Sequence, residues 1–298
     1  MHSDLPCRMP AINVIVPCFN HVNYIRECIL SLSVSYKGKM HIVVCDDKST
    51  DESFKIACET LQEISLNNPL ISYDAQQNSE NKGVSAVLNH CLKFCNNEFV
   101  YLIASDDSVI EGALNAPIEL LIKTGADAVI SDCKIIDENS NVHLNSAFFD
   151  YRKTNIDQLV SEHIGDELVF NWTVPGPALI LKRTVYEKIG YYNENIRAED
   201  RDFYLRLLSK CRVIFNKKPI ANYRVHSENF SRSPGYLSGA AREFALVNYA
   251  HRNEYKGLSK LYLMTYKLDL ISGAAFFAKY SRKIIKSFYV LKVKLKVK

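Results

Sequence analysis

VYLIASDDSV, residues 100–109, sets the architecture of this chain. Phe99–Ile103 is an apolar run with β-branched and aromatic members, which is typical of a strand buried on both faces in a parallel sheet. The run is followed closely by Asp106 and Asp107. Adjacent carboxylates repel each other, so such a pair needs a cation or several hydrogen-bond donors beside it. The pair therefore indicates a metal site, although Ser-Asp-Asp-Ser is equally good turn and helix-cap chemistry before a helix predicted over 111–123.

Strands and helices alternate on both sides of this run, from Ile12 to Asp132. The strands between these two residues are short and apolar, and amphipathic or small-residue helices separate them. This alternation predicts an α/β fold with a doubly wound, mostly parallel sheet, whose ligands bind beyond the carboxyl ends of the strands. The predicted strands are 12–16, 41–45, 70–73, 99–103 and 128–131.

A second acid pair, Asp46 and Asp47, follows the strand His41–Cys45. Because carboxyl ends of parallel strands share one edge of a sheet, we expect both acid pairs to lie in one crevice. A ligand site explains two converging pairs better than turn chemistry does. No G-x-G-x-x-G follows the first strand and no G-x-x-x-x-G-K-[ST] occurs, which argues against a dinucleotide-binding fold and a P-loop.

Composition is that of a soluble globular protein of 298 residues with a net charge of +4. It has no apolar run long enough for a transmembrane helix, and its first residues lack a signal-peptide pattern, so the expected location is the cytoplasm. Nine cysteines without a C-x-x-C pair predict buried, reduced thiols rather than a zinc site.

The second half of the chain contains three candidate functional features, and each of them also has a purely structural explanation. Trp172 precedes a rigid Pro-Gly-Pro loop, where a core tryptophan is as reasonable as a binding surface. Glu199 and Asp200 open an amphipathic helix, where acids also stabilise the helix dipole. His226 follows a predicted strand at 213–216, and a lone histidine is more often a hydrogen-bonded structural residue than a ligand.

Helices are predicted for the rest of the chain, at 236–255, 258–279 and 282–298. Arg282–Lys298 is basic, contains aromatic residues and has no acid. Such a segment suits an anionic membrane surface. A solvated tail packed on the preceding domain, or a strand-like or disordered end, is the alternative.

Six motifs, in order, resemble those of the inverting family 2 glycosyltransferases, which have the GT-A fold. The resemblance spans 12–231, and Ala104 departs from it, since many members carry the first Asp of D-x-D there. The motifs are VIVPCFNHVNYI (14–25), VVCDDKSTDES (43–53), the series Asn78, Asn81, Gly83, Ala86 and Asn89, ASDD (104–107), KIGYYNENIRAEDRDFYLRL (188–207) and YRVHS (223–227).

The resemblance implies a nucleotide-sugar donor, expected to be UDP-linked, and a divalent ion, Mn²⁺ or Mg²⁺, on its diphosphate. A divalent ion stabilises the charge that develops on a diphosphate leaving group. Asp106 is expected to bind it, with Asp107 and His226 assisting. Residues expected to bind the donor nucleotide are Pro17, Phe19, Asn20, Asp46, Asp47, Asn81, Lys82, Ser105 and Asp106.

Inversion requires a carboxylate that takes the proton from the acceptor hydroxyl. We expect this base to be Asp200, with Glu199 raising its pKa. Trp172 and Gly176 are expected at the acceptor site. The implied domains are a GT-A catalytic domain over 1–235, with a donor half at about 10–133 and an acceptor half at about 134–235, and a helical, basic extension over 236–298.

The implied function is a hexosyl- or N-acetylhexosaminyl-transferase of bacterial cell-surface polysaccharide synthesis, such as lipopolysaccharide or capsule. Its acceptor would be a glycan or an undecaprenyl-diphosphate-linked glycan, and the enzyme would contact the inner face of the membrane through Arg282–Lys298. A nucleotide-sugar-binding protein without turnover is the alternative, suggested by Ala104. Nucleic-acid binding has only the basic tail in its favour, so no nucleic-acid partner is expected.

Overall fold

Nine strands form one mixed sheet in the computed structural model, which describes residues 9–154, 156–160, 163–226 and 234–296. Their order across the sheet is β3-β2-β1-β4-β8-β6-β9-β5, and β7 pairs with β6 outside this path. The strands are β1 (Ile12–Cys18), β2 (Met40–Asp46), β3 (Ile71–Gln77), β4 (Phe99–Leu102), β5 (Ser108–Val109), β6 (Ala128–Ile136), β7 (Val142–Leu144), β8 (Leu179–Lys182) and β9 (Val213–Arg224).

The first four strands of that order are parallel, as the alternating sequence predicts. Ile12 lies between Met40 of β2 and Phe99 of β4 in the register. β1, β2 and β4 are buried almost throughout because residues on both faces are apolar. The carboxyl ends of these strands therefore meet at one edge, where the loops after them carry the acid pairs.

The second half of the sheet departs from a simple doubly wound pattern. β8 pairs antiparallel with both β4 and β6, so it lies between two strands of the predicted sheet. β9 pairs parallel with β6 and is three times as long as predicted, reaching Arg224. A short strand such as β8 can enter a buried position in either direction, because Leu179, Ile180 and Leu181 are apolar and cover both faces.

Helices cover the sheet and form the end of the chain. α4 begins at Asn115 rather than at the predicted 111, because β5 and a turn occupy the preceding residues. The helices are α1 (Ile25–Ser33), α2 (Ser53–Asn67), α3 (Val84–Cys91), α4 (Asn115–Thr124), α5 (Ile156–Leu159), α6 (Ile164–Phe170), α7 (Thr184–Ile189), α8 (Glu199–Lys210), α9 (Pro234–Ala250), α10 (Gly257–Met264) and α11 (Ala275–Lys296).

The C-terminal helices differ from the prediction in their limits. The predicted helix 258–279 ends at Met264. Gly273 then adopts a left-handed φ of 79°, so the chain changes direction before α11 begins. α11 thus includes Ala275–Ser281 as well as the basic segment, whose last two residues, 297 and 298, lie outside the described residues. Throughout the described segments, no helix is both long enough and apolar enough to cross a bilayer.

α11 is fixed to the rest of the protein by a buried tyrosine. The Tyr289 ring stacks on Phe170 of α6 at 4.2 Å between centroids, and its hydroxyl donates to Oε2 of Glu167 at 2.7 Å. These contacts belong to a second, smaller apolar cluster that joins α6, α8 and α9–α11. The basic end of the chain is therefore a packed helix along its described length rather than a strand or a free tail.

Replacing this tyrosine should loosen α11. We expect Tyr289→Ala to lower the free energy of unfolding by about 3 kcal/mol, because it removes a buried aromatic ring and the donor to Glu167 Oε2. Tyr280→Ala on the same helix is the control, since Tyr280 is 58% exposed. Urea unfolding followed by circular dichroism measures both. Equal effects of the two substitutions would contradict the packing described here.

Cysteines in the described residues are free thiols, and six of the eight are buried. This agrees with the prediction of reduced core residues, while Cys7 lies outside the described residues. Burial raises the pKa of the Cys18 thiol to about 12. Cys18 is therefore a packing group rather than a nucleophile.

Candidate active site

Three side chains that suit a metal ion meet at the carboxyl edge of the sheet. His226 Nε2 lies 3.0 Å from Asp106 Oδ2, and His21 Nδ1 lies 3.9 Å from Asp106 Oδ1. One ligand atom from each residue can be chosen so that all three lie within 4.8 Å of one another. Asp106 and His226 are buried, and His21 is half-buried. We call these three residues the metal group.

Three different strands deliver the metal group. His21 follows the end of β1, Asp106 follows β4, and His226 follows β9. All three strands run in the same direction, so their carboxyl ends lie at one edge of the sheet. The structure thus brings Asp106 and His226 together, and it adds His21, which the sequence did not single out.

Electrostatics keep Asp106 ionised. Burial opposes the charged form, but the hydrogen bond with His226 and the neighbouring His21 and His226 hold the pKa of Asp106 below its ordinary value. A carboxylate with two imidazoles is a donor set found around divalent transition-metal ions. The residues present therefore fit a divalent ion.

The carboxylate of Asp107 contacts the residues that support the metal group. Its Oδ1 accepts a hydrogen bond from the backbone N–H of Arg224 at 2.8 Å. Burial and then the charge of Asp106 raise the pKa of Asp107 well above its ordinary value. Gly176 stands over the other oxygen, since a methyl group at Gly176 would lie 3.7 Å from Oδ2. In this arrangement Asp107 joins the turn at residues 104–107, which we call the metal turn, to β9 and to the Pro-Gly-Pro loop.

Arg224, at the end of β9, holds the acidic turn in place. Its side chain is fully buried, Nε donates to the carbonyl oxygen of Asp106 at 2.6 Å, and Nη2 donates to Glu27 at 2.8 Å. The guanidinium also lies 4.8 Å from the centre of the Tyr24 ring. Arg224 lies in the YRVHS motif, but burial of a charged residue cannot be predicted from its neighbours in the chain.

The second acid pair is satisfied by the protein's own donors. Asp47 accepts hydrogen bonds from Asn78 Nδ2 at 2.7 Å and from the backbone N–H groups of Lys82 at 2.9 Å and Gly83 at 2.7 Å. Asp46 accepts from Gln77 Nε2 at 3.0 Å, from Ser49 N–H at 2.8 Å and from the Ser49 hydroxyl. These contacts fold two loops, 46–50 and 78–83, against each other.

The other residues expected at the nucleotide lie on these loops or beside them. Asn20 joins β1 to the 46–50 loop, because its N–H donates to Ser49 Oγ at 2.8 Å and its Oδ1 accepts from Thr50 N–H at 2.8 Å. Ser105 is buried with its hydroxyl 2.8 Å from His21 Nδ1. Around them, Pro17 is half-buried, and Phe19, Asn81 and Lys82 are exposed.

Glu199 and Asp200 form the first turn of α8. Glu199 is half-buried, and burial followed by the charge of Asp200 raises its pKa to about 8. Asp200 reaches solvent, yet surrounding protein still removes part of its hydration, which raises its pKa to about 6. Near neutral pH the pair therefore carries one negative charge on Asp200 and one proton on Glu199. The charge of Asp200 acts on Glu199 in this pair, and the expected effect of Glu199 on the pKa of Asp200 stays a prediction.

A loop connects this acid pair to the metal group. Trp172, at one end of the loop, is half-buried and meets the Tyr204 ring of α8 edge to face at 4.9 Å. Burial and then the nearby charge of Asp200 raise the pKa of Tyr204 well above its ordinary value, so Asp200 is close to this contact. Gly176, at the other end, is exposed beside Asp107.

Arg201, the residue after Asp200, attaches α8 to α6 and α9. It is 2% exposed, donates to the carbonyl oxygens of Leu168 and Val169 on α6 at 2.9 and 3.1 Å, and donates to Asn248 Oδ1 on α9 at 2.8 and 3.0 Å. Its guanidinium lies 5.1 Å from the Trp172 ring centre. The first turn of α8 is thus held by α6, α9 and the loop.

Residues 13–175 match the model of the family described as Glycosyl transferase family 2. The chain is 27% identical over 224 residues to an uncharacterized glycosyltransferase of Rickettsia typhi, covering 73% of this chain and 64% of that protein. It is 25% identical over 229 residues to the glycosyltransferase GlyA of Streptococcus pneumoniae, covering 74% of this chain and 31% of that protein. The chain thus spans less than two thirds of the length of either relative.

Solved structures share its fold. S. aureus TarS 1–349 in complex with UDP-GlcNAc superposes with a TM-score of 0.62 at 21% identity, covering 86% of this chain and 70% of that one. The mannosyltransferase PcManGT of Pyrobaculum calidifontis, in complex with GDP-Man and Mn²⁺, gives a TM-score of 0.64 at 15% identity, covering 96% and 76%. These likenesses confirm the predicted GT-A fold with C-terminal helices.

The acid pair of α8 makes stability depend on pH. Folding raises the pKa of Glu199, so the folded state holds a proton that the unfolded chain releases, and this contribution to stability is lost as pH rises from about 5 to about 8. Glu199→Gln is neutral at every pH, so we expect its stability relative to the wild type to increase by about 1 kcal/mol or more over that range.

Urea unfolding at several pH values measures this difference. Glu59→Gln, at an exposed position of α2, controls for the loss of a surface charge. A constant difference between Glu199→Gln and the wild type from pH 5 to pH 8 would show that Glu199 is not protonated in the folded protein.

Proposed function

Because the chain belongs to glycosyl transferase family 2, we propose that it transfers a sugar from a nucleotide-diphosphate sugar to a hydroxyl group of a glycan, with inversion at the anomeric carbon. The observation that carries the proposal is the metal group at the sheet edge, beside the loops that hold Asp46 and Asp47. A UDP-linked hexose or N-acetylhexosamine is the donor we favour. TarS was solved in complex with UDP-GlcNAc, and the mannosyltransferase with GDP-Man and Mn²⁺.

The metal group would hold the divalent ion, Mn²⁺ or Mg²⁺. Bound there, such an ion supplies Lewis-acid stabilisation of the charge on the departing diphosphate. Asp106 and His226 are the ligands we propose from sequence and structure together. We assign Asp107 to the support of Asp106, since its Oδ1 is bound by Arg224 N–H.

Nucleotide recognition is proposed for the loops around the second acid pair. Asp47 orders the backbone of Lys82 and Gly83, which places the exposed Asn81 and Lys82 on the surface that begins at Phe19 and Asn20. We propose that this surface, with Pro17, Asp46 and Ser105, binds the base and ribose. Its ordering by internal hydrogen bonds reduces the conformational entropy that the ligand must remove.

Asp200 is the general base in this proposal. It is exposed and predominantly ionised near neutral pH, as a base must be to accept a proton from a hydroxyl group. The protonated Glu199 beside it avoids a second negative charge at the same place. Trp172, Tyr204 and Gly176 border this region, and we propose that the acceptor sugar binds along them.

We expect Asp200→Asn to lower kcat by about 10²-fold or more and to leave donor binding unchanged, because the amide keeps the shape but cannot take the proton. Wild-type activity should fall below about pH 6 as Asp200 is protonated. Transfer from UDP-sugars to glycan acceptors, or hydrolysis of the donor, gives the rate. Donor binding is measured by thermal unfolding with UDP, GDP, CDP or dTDP, each with Mn²⁺ or a chelator.

A nucleotide at about 100 times its dissociation constant adds about 2.7 kcal/mol of stability, enough for a clear shift. Equal loss of nucleotide stabilisation and rate in Asp200→Asn would contradict the role of Asp200 as the base. Nucleotide binding by the wild type without any turnover would favour the alternative, a nucleotide-sugar-binding protein.

We also propose that α11 lies on an anionic membrane surface, which suits an undecaprenyl-diphosphate-linked acceptor at the inner face of the membrane. Phe276, Tyr280, Ile284, Phe288 and Leu291 repeat every three or four residues, so they form one face of the helix. All five are exposed, and Phe276 is 74% exposed. Lysines flank this face, and α11 contains no acid. An exposed apolar face with flanking cations matches a bilayer of acidic lipids.

Substituting this face should weaken binding to lipid. We expect Phe276→Ser with Tyr280→Ser to bind anionic vesicles at least about 10-fold more weakly than the wild type, because two exposed aromatic rings no longer enter the interface. Sedimentation with phosphatidylcholine vesicles, with and without about 30% phosphatidylglycerol, measures binding. Phe149→Ser, at an exposed site far from α11 in the chain, is the control. Unchanged binding of the double variant, or none by the wild type, would contradict the proposal.

A further inference from the structure

His21 enters the metal group from the loop after β1, far from the D-x-D position in the chain. We propose that His21 is a direct ligand of the divalent ion, that it supplies the donor which Ala104 lacks, and that the site therefore binds transition-metal ions in preference to Mg²⁺. The inference deepens the proposed function and rests on it for the use of the ion, but its test does not depend on activity.

The backbone fixes His21 at the site. Its N–H donates to Ser53 Oγ at 2.9 Å, and its carbonyl oxygen accepts from the N–H groups of Tyr24 and Ile25, both at 2.9 Å, where α1 begins. The residue is thus held between α1 and α2, whatever its side chain does. A ligand on so constrained a backbone needs little reorganisation to bind an ion.

The imidazole of His21 is aimed at Asp106 by its neighbours. Ser105 Oγ lies 2.8 Å from His21 Nδ1, and the ring centres of His21 and His226 lie 6.1 Å apart with planes at 82°. An ion on Nε2 of His21 would leave this contact in place, as in other metal-ligating histidines, whereas an ion on Nδ1 would replace Ser105 there. Asp106 lies 3.0 Å from His226 Nε2 and 3.9 Å from His21 Nδ1.

Ala104 and Asp107 offer no donor beside Asp106. Ala104 carries a methyl group, which cannot bind a cation. Asp107 does not serve as this donor, because its Oδ1 accepts from Arg224 N–H and its Oδ2 lies beside Gly176. Among the described residues, His21 is the side chain that joins Asp106 and His226 in a group with metal-ligand spacing.

The donor set predicts the selectivity. Mg²⁺ prefers oxygen ligands and binds imidazole weakly, whereas nitrogen ligands favour transition-metal ions in the order Mn²⁺ below Co²⁺. Two imidazoles and one carboxylate should therefore bind Co²⁺ more tightly than Mn²⁺, and Mn²⁺ more tightly than Mg²⁺. A set of three protein ligands also leaves positions for phosphate oxygens and water.

Metal binding itself tests the inference. Calorimetric titration of the full chain with Mn²⁺, Co²⁺ and Mg²⁺ gives the affinities, and pulsed electron paramagnetic resonance of bound Mn²⁺ detects ¹⁴N nuclei of coordinated imidazoles. We expect couplings from two imidazoles in the wild type and from one in His21→Ala. The Mn²⁺ affinity should fall by about 10-fold or more, since even loss of an outer-shell partner has effects of that size.

His21→Gln guards against a folding defect, because glutamine can still hydrogen-bond Ser105 but has no imidazole. It should lose the same ¹⁴N coupling as His21→Ala. His143→Ala, at an exposed histidine beside Asp137, is the matched control and should change nothing. Two imidazole couplings that persist in both His21 variants, or wild-type affinity for Mg²⁺ equal to that for Mn²⁺, would overturn the proposal.

Failure of this inference and failure of the proposed function give different results. If His21 is not a ligand, the wild type still transfers sugar and still shows the Asp200→Asn defect. If the function is wrong, Mn²⁺ still binds through two imidazoles, but no nucleotide diphosphate stabilises the protein and no sugar is transferred.

Discussion

The buried guanidinium of Arg224 holds the metal turn to the sheet, and the geometry of the site depends on it. Two adjacent acids at the end of a buried strand would repel each other and separate. Arg224 prevents this with its side chain on the carbonyl of Asp106 and its backbone N–H on the carboxylate of Asp107. The two acids therefore differ in their partners. Asp106 contacts the two histidines, whereas Asp107 binds the backbone of β9.

The sequence predicted the parts of the fold that depend on apolar runs. β1, β2 and β4 are buried on both faces, so their residues identify them without help from the rest of the chain. The direction and neighbours of β8 were not predictable in this way, because pairing partners lie far apart in the chain. The limits of α11 were missed because one left-handed glycine, Gly273, sets where the helix begins.

The same distinction applies to the candidate site. Asp106 and His226 were predicted as site residues. Asp106 follows a buried strand as one of two adjacent acids, and His226 lies in a motif that resembles one of the family. The place of His21 beside Asp106 was not predicted, although His21 lies in the first motif. A histidine after a proline loop has no acid or second histidine nearby in the chain that would point to a metal site. The internal donors of Asp47 were also hidden, because backbone N–H groups leave no mark on the sequence. The roles of Asp47 and Trp172 toward substrates stay predictions.

Arg201 connects the first turn of α8 to two other helices. It directly follows Asp200, and its guanidinium grips α6 and α9 at once through Leu168, Val169 and Asn248. A buried cation cannot release such partners without losing the hydrogen bonds that compensate its burial. The first turn of α8 therefore keeps its place only while α6 and α9 keep theirs. The position of Asp200 depends in this way on one buried cation and on helices far from it in the chain.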